Sequence, residues 1–330
     1  MEQRISTFPE YNHHHRTQHK ESSMRNIRKQ TLLLPVLILL LAGCTSSQRT
    51  KMVISNMKPI MEKMSISTNQ NGDVETVRQS MPASLIQLDG FIEADPDNQD
   101  LLLRAAEAYS GYAFLFVEDT DKWRAAKLHK KARDYALRAL MQNKAMSDPL
   151  SCSNDDFDCG LKELTKDDVR ALFFSTSSWL SYLGLGWKFD MAIVNDRPKV
   201  LAMMSRMMEL DETFNYGAIH AMYGTLNSAM PSHLGGDLEQ AKYHYEKAFL
   251  ISESRFLPWH FLFAKYYCVQ AQDRQLFVST LNMIINAPEN LLPEKAFANE
   301  AVKEKAKRMM GMADVFFEKD GEYLKKNLYL

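Results

Sequence analysis

The 330-residue sequence lacks the features that mark nucleic-acid-binding and membrane-spanning proteins. Its 40 Lys and Arg are balanced by 41 Asp and Glu, so there is no excess of positive charge to indicate a nucleic-acid partner. The apolar run Leu32–Leu41 is too short to span a bilayer comfortably. An apolar fraction of 45% nevertheless predicts a folded globular protein with a substantial core.

Motifs for catalysis, metal binding and nucleotide binding are also missing from the sequence. Beyond residue 43 the chain has five histidines, and none belongs to a recognisable ligand set or catalytic triad. Gly235 and Gly236 precede a predicted helix, but their surroundings match neither a phosphate-binding loop nor a dinucleotide fingerprint. The sequence therefore predicts no catalytic residue, no cofactor and no metal site, and it indicates a protein that is not an enzyme.

The N-terminal region has the pattern of a bacterial lipoprotein signal. Three basic residues between positions 25 and 29 precede Leu32–Leu41, whose length is typical of the apolar part of a signal peptide. The run ends in Leu41-Ala42-Gly43-Cys44, where small residues come before a thiol that can carry diacylglycerol. We therefore expect lipidation of Cys44. The alternative is a buried apolar helix with an incidental cysteine, but charge, run length and cleavage residues all agree with a signal.

This signal divides the chain into four expected parts. Residues 1–23 would be an upstream extension or a disordered tail, because Met24 begins a signal of normal length. Residues 24–43 would form the signal peptide, residues 44–80 the lipid anchor with a linker or helix, and residues 81–330 the helical-repeat domain. Such a protein lies in the periplasm, anchored to the membrane by its lipid. Ser46 is not the aspartate associated with inner-membrane retention, which favours the outer membrane.

The remaining cysteines fit an oxidising compartment. Cys152 and Cys159 lie seven positions apart in a polar stretch, and we expect them to form a disulfide. A zinc site would need two more soft ligands nearby, whereas the neighbouring side chains are carboxylates and amides. Cys268 lies in an apolar helical run and is expected to be a buried free thiol.

The spacing of apolar residues predicts an all-α fold. After the signal, apolar residues recur at intervals of three and four without sustained alternation. Asp237 can cap a helix in which Ala241, Tyr245 and Ala248 fall on one face. That spacing of small and aromatic residues is typical of the second helix of tetratricopeptide repeats. We therefore predict a tetratricopeptide-like helical-repeat solenoid, whose stacked helix pairs bury a continuous core beneath a concave inner surface.

Five segments carry a more specific signal than the repeat pattern, and they keep their order along the chain. They are Ala108–Asp119, Ala132–Leu140, Tyr216–His220, Leu234–Asp237 and Ala264–Tyr267. Together they resemble the T-component lipoproteins of tripartite ATP-independent periplasmic (TRAP) transporters, the TatT family. The resemblance runs from about Met81 to Phe317.

Membership of that family would imply a periplasmic helical-repeat lipoprotein that forms a homotrimer, has a pore or cavity through each subunit, and docks a substrate-binding P-component. Hydrophobic or amphipathic organic acids would be its cargo. The Met-rich segment Met203–Met208 and the Cys152–Cys159 loop depart from the family pattern. The alternative function is an envelope protein-interaction scaffold of tetratricopeptide type without a transport role.

Aromatic residues of two predicted helices form the expected ligand surface. Within each helix they lie three, four or seven positions apart and therefore share a face. They are Tyr109, Tyr112 and Phe116 in one helix and Tyr216, His220 and Tyr223 in the other. Because such a surface has few charges, it would suit an apolar or amphipathic ligand better than a phosphorylated one. The alternative is that both faces pack repeat against repeat.

Overall fold

The computed structural model describes residues 46–146, 148–230 and 232–317, and the regular structure in these ranges is helical throughout. The expected all-α class is therefore confirmed. The chain divides into two compact units, Met1–Asn56 and Met57–Leu330. Residues 1–45, which include the expected signal peptide and Cys44, lie outside the described residues.

Thirteen α-helices make up the described ranges, and short 3₁₀ or π segments extend or connect them. The helices are α1 (Ser46–Asn69), α2 (Val74–Ala94), α3 (Gln99–Tyr112), α4 (Lys122–Leu140), α5 (Asn154–Lys162), α6 (Val169–Gly186), α7 (Arg197–Leu210), α8 (Phe214–Ala229), α9 (Leu238–Ile251), α10 (Leu257–Leu262), α11 (Arg274–Ile285), α12 (Ala296–Met310) and α13 (Ala313–Phe316). The two π segments, Ala113–Val117 and Phe263–Cys268, continue α3 and α10.

Short polar side chains fix where many of these helices begin. Six of them accept a hydrogen bond from the backbone N–H three residues later, which satisfies a group that the first helical turn leaves unpaired. They are Asp73, Asn98, Asp121, Ser153, Asp237 and Asp273. The cap predicted from sequence at Asp237 is among them, and its partner is the N–H of Gln240.

The helices pack in pairs that are close in sequence, most extensively α4 against α6, α8 against α9 and α3 against α4. Small residues permit the close approach. A Cβ atom on Gly224 of α8 would lie 2.8 Å from the ring of Tyr245 on α9, so no larger residue fits at this crossing. Tyr245 itself is completely buried. This arrangement is consistent with a helical-repeat solenoid, and its closer likeness to tetratricopeptide repeats stays a prediction.

Within the second unit, the last long helix returns to the first ones. Helix α12 contacts both α2 and the π segment Ala113–Val117. Arg78 of α2 pairs with Glu304 of α12, and the Nζ of Lys305 donates to the carbonyl of Phe114 at 2.6 Å. Because α12 and α2 come together in this way, the helices of the second unit surround a central cavity. Helix α2 also runs through residue 81, where the repeat domain was expected to begin.

Candidate functional site

The central cavity has a volume of about 1680 Å³, larger than the roughly 300–1,000 Å³ of a typical small-molecule pocket. Nine helices of the described ranges contribute to its wall, namely α1, α2, α3, α4, α6, α8, α10, α12 and α13. Much of that wall is apolar, and prominent lining residues are Met61, Leu88, Phe91, Phe173, Leu180, Met222, Phe261 and Phe297. A ligand in this cavity would bury a large hydrocarbon surface.

The charged residues of the lining are predominantly basic. Seven Lys and Arg face three Asp and Glu, which gives the cavity a formal charge of +4 when histidine is counted as neutral, against −1 for the whole chain. The basic residues are Arg104, Lys122, Lys188, Lys265, Lys295, Lys305 and Arg308, and the acidic ones are Glu107, Glu118 and Asp119. This excess of positive charge favours an anionic ligand, whereas the sequence had indicated a lining with few charges.

Seven of the lining residues form what we call the charged wall: Glu118, Asp119, Lys122, His129, Lys265, Lys305 and Arg308. They come from three regions far apart in the sequence. The π segment after α3 leads into Glu118 and the start of α4, the π segment after α10 carries Lys265, and α12 supplies Lys305. Single-turn π segments often occur at functional sites.

Glu118 is the centre of the charged wall. Its Oε1 lies 3.0 Å from the Nε2 of His129, and its Oε2 lies 3.4 Å from the Nζ of Lys265. Burial alone would raise the pKa of this carboxyl, but Lys265, His129 and Lys305 outweigh burial and lower the pKa to about 2. Glu118 is therefore an anion in the folded protein, although only 8% of it is exposed.

Lys305 links α12 to the π segment Ala113–Val117 and to Asp119 just after it. Besides the carbonyl of Phe114, its Nζ contacts the Oδ2 of Asp119 at 2.9 Å, and the amine lies over the rings of Phe114 and Phe261. The side chain is almost completely buried, and burial lowers its pKa against the opposing effect of Glu118. These contacts use the donors of Lys305 for the fold, so it is a structural member of the charged wall.

The first group of predicted ligand residues lies away from the cavity wall. The hydroxyl of Tyr109 donates to the Oδ2 of Asp89 at 2.8 Å, while the ring of Tyr112 packs 5.8 Å from that of Phe116. Phe116 packs in turn against Phe297. None of the three described side chains is among the lining residues.

Two members of the second predicted group, His220 and Tyr223, lie in a separate cluster with residues of α9 and of the segment before α8. The Nδ1 atoms of His220 and His244 are 3.0 Å apart, the Nε2 of His220 is 3.3 Å from the Oε2 of Glu212, and the ring of Tyr223 stacks on His244. We call these four residues the histidine cluster. None of them, nor Tyr216, is among the described residues that line the cavity.

The predicted ligand residues lie outside the cavity lining for geometric reasons. On α3 the predicted aromatic residues pack against neighbouring helices, while residues on another side of the helix and its π extension, among them Ala108, Gly111 and Phe114, reach the cavity. On α8, positive φ angles at Asn215, Tyr216 and Gly217 interrupt the helix, so Tyr216 leaves the face of His220 and Tyr223 and stacks on Phe256. Met222 and Thr225 are among the residues of α8 that reach the cavity. The expected helices therefore contribute to the wall through side chains other than those chosen from the aromatic pattern.

A family model described as the TRAP transporter T-component matches residues 70–317. The chain belongs to the TRAP transporter T-component family. This match confirms the resemblance seen in the sequence and supports an accessory role in a TRAP transporter. A search of the curated proteins found no match. Among the described residues of this T-component, no helix combines the length and apolar character needed to cross a membrane.

The cysteines and acidic residues of this T-component were also candidates for covalent or metal chemistry. Cys152 and Cys159 are free thiols in the structure, partly buried and exposed respectively, so the disulfide stays a prediction. Cys268 is fully buried and free, and burial raises its thiol pKa to about 12. Within the described ranges, no group of three or more His, Cys, Asp and Glu side chains is placed to hold a metal ion.

Sequence reasoning missed the charged wall of the T-component. Its members are single charges at helix ends and in long helices, where a solvated position is the ordinary interpretation. The one usable signal was the acidic pair Glu118-Asp119, which closes the otherwise apolar run Ala113–Val117. Its basic partners are more than 140 residues away in sequence, as with Lys265 at a separation of 147.

Proposed function

We propose that this T-component is a periplasmic lipoprotein that binds a substrate-binding P-component of a TRAP transporter and holds an apolar or amphipathic organic acid in its central cavity. The observation that carries the ligand proposal is the cavity itself, which combines a wide apolar lining with an excess of positive charge. Hydrocarbon is stabilised by leaving water, and an acidic head group would be stabilised by the basic side chains.

Filling the cavity tests this ligand proposal. Gly111 of α3 lines the cavity, and a Cβ atom added there would meet nothing within 4 Å. We expect Gly111→Trp to abolish binding of a medium-chain carboxylate measured by calorimetry, while the protein stays folded. Gly72 lies outside the lining and also has open space around it, so Gly72→Trp is the matched control. Equal affinities of the two variants would show that the ligand does not enter this cavity.

Binding to a P-component and assembly of a homotrimer are proposed from family membership. Light scattering coupled to size-exclusion chromatography should give the mass of three chains. Adding P-components from the same genome should shift one of them into the T-component peak. If none binds while other envelope proteins do, the alternative of an envelope scaffold without a transport role is favoured.

Lipidation of Cys44 and outer-membrane attachment are proposed from the N-terminal sequence. Mass spectrometry of membrane-extracted protein should find acylated Cys44 at the N-terminus, and Cys44→Ser should release the protein into the soluble fraction. Density-gradient separation of the two membranes then tests the location. Unmodified Cys44 in the mature protein would refute the lipoprotein proposal.

A disulfide between Cys152 and Cys159 is the last part of the proposal. Its loop is short, so we expect it to stabilise the fold by on the order of 2 kcal/mol or less. Peptide mapping without reductant should recover the two cysteines in one linked species. Recovery of both as free thiols from periplasmic protein would reject the bond.

A further inference from the structure

We infer that the charged wall is a binding subsite for a single carboxylate, with Lys122 as the side chain that receives it and the rest of the ligand lying along the apolar lining. This inference rests on the proposed function, because it assigns one end of the ligand to named residues of the same cavity. It begins with the observation that Lys122 lines the cavity but has no hydrogen-bond or ion-pair partner among the described residues.

The cations around Lys122 also favour an anion. Lys122 is the first residue of α4 and directly follows Asp121, whose carboxylate already caps this helix. Burial, followed by the nearby Lys265 and Lys188, lowers the pKa of its amine. A bound carboxylate would relieve this repulsion between cations.

The other cations of the charged wall already have acidic partners. Lys265 pairs with Glu118, and Lys305 pairs with Asp119. Arg308 lies 3.4 Å from Asp119 and 3.9 Å from Glu304, the latter outside the cavity lining. Lys122 is therefore the one cation of the charged wall without an acidic partner among the described residues.

The number of free donors distinguishes between classes of ligand. The amine of Lys122 can receive one carboxylate, whereas a phosphate monoester carries about −1.5 to −2 at neutral pH and presents three strong acceptor oxygens. The phosphate would also need several donors, and those of Lys305 are already engaged by Phe114 and Asp119. The wall thus matches a monocarboxylate with a long apolar body.

The test compares three probes with the same twelve-carbon chain: dodecanoate, 1-dodecanol and dodecyl phosphate. Affinities are measured by calorimetry on the full chain and on Lys122→Gln, Lys122→Arg and Lys130→Gln. Lys122 and Lys130 are both exposed on the same helix, but Lys130 lies outside the lining, so it controls for the loss of one charge from α4. Circular dichroism checks that each variant is folded.

We expect Lys122→Gln to weaken dodecanoate binding roughly ten- to hundredfold, as for the loss of a hydrogen bond to a charged group. Lys122→Arg should retain most of the affinity, and Lys130→Gln should retain all of it. Binding of 1-dodecanol should not change in any variant, and dodecyl phosphate should bind more weakly than dodecanoate.

Unchanged dodecanoate affinity in Lys122→Gln overturns the carboxylate subsite. If Gly111→Trp still abolishes binding in that case, the proposed cavity function stands without the subsite. Tighter binding of dodecyl phosphate than of dodecanoate also overturns the assignment to a monocarboxylate. If the unaltered chain binds neither dodecanoate nor 1-dodecanol, both the subsite and the proposed ligand function fail.

Discussion

The charged wall and the histidine cluster each contain a buried histidine close to a glutamate, yet their chemistry differs. In the charged wall, Glu118 is 8% exposed and lies among several amines. In the histidine cluster, Glu212 is 60% exposed in its side chain, and His220 contacts a second imidazole, His244. Burial therefore opposes the ionisation of a carboxyl, Glu118, in the charged wall, whereas it opposes the protonation of an imidazole, His244, in the histidine cluster.

The difference shows which groups can remain ionised inside this protein. Glu118 stays charged because Lys265, His129 and Lys305 compensate for its burial. His244 has no such compensation, so burial and the neighbouring His220 lower its pKa to about 4. The charged wall borders the cavity, whereas the histidine cluster lies between α8 and α9.

The largest expected effect comes from removing the central anion of the charged wall. Glu118→Gln removes the buried carboxylate that faces Lys265 and His129, while Lys305 keeps its contact with Asp119, so we expect a loss of about 3–5 kcal/mol in the free energy of unfolding. Chemical denaturation measures it. Adding Lys265→Met should recover part of the loss, because it removes a cation that the carboxylate of Glu118 had balanced. A single variant as stable as the original protein would show that Glu118 does not hold the wall together.

Truncating a packed aromatic should affect stability but leave ligand affinity unchanged. Tyr112 is 8% exposed and away from the cavity, and we expect Tyr112→Ala to cost about 3 kcal/mol. Tyr223 is less buried, so Tyr223→Ala should cost about 1–2 kcal/mol. Thermal unfolding and dodecanoate titration together separate the two roles. Lost affinity in a folded Tyr223→Ala protein would place the histidine cluster at the ligand site after all.

Acid should destabilise the charged wall over a defined range of pH. The pKa of Glu118 is lowered from 4.5 to about 2, so its stabilising effect is complete above about pH 4.5 and is lost as the pH falls towards 2. The expected contribution is roughly 3 kcal/mol. Denaturation curves at several pH values should show this slope in the original protein and a smaller one in Glu118→Gln. Identical slopes would contradict the assignment.

The histidine cluster should respond at higher pH and more weakly. Burial lowers the pKa of His244 from 6.5 to about 4, so the folded protein takes up a proton less readily than the unfolded chain between these values. Stability is therefore complete above about pH 6.5 and falls by about 1–2 kcal/mol towards pH 4. His244→Phe should remove much of this dependence while keeping the stack on Tyr223. An unchanged profile would assign the titration to other groups.

Local sequence patterns predicted the features that depend on neighbours within one helix. The cap at Asp237, the buried face formed by Ala241, Tyr245 and Ala248, and the buried thiol of Cys268 all lie where the spacing indicated. The cavity-facing residues were not predictable in this way. Aromatic residues at helical spacing indicate a buried face, but both a helix contact and a cavity wall bury aromatics, and the two cannot be distinguished by periodicity.

The sequence by itself determined that this protein is helical and belongs to the T-component family, because apolar spacing and ordered motifs are encoded within short segments. Only the tertiary structure decided which of its charged side chains meet. Glu118 and Lys265 meet because α10 and α3 come together across 147 residues, and burial then makes their interaction strong. Charge pairing across such distances depends on how the helices close around the cavity, which no local pattern specifies.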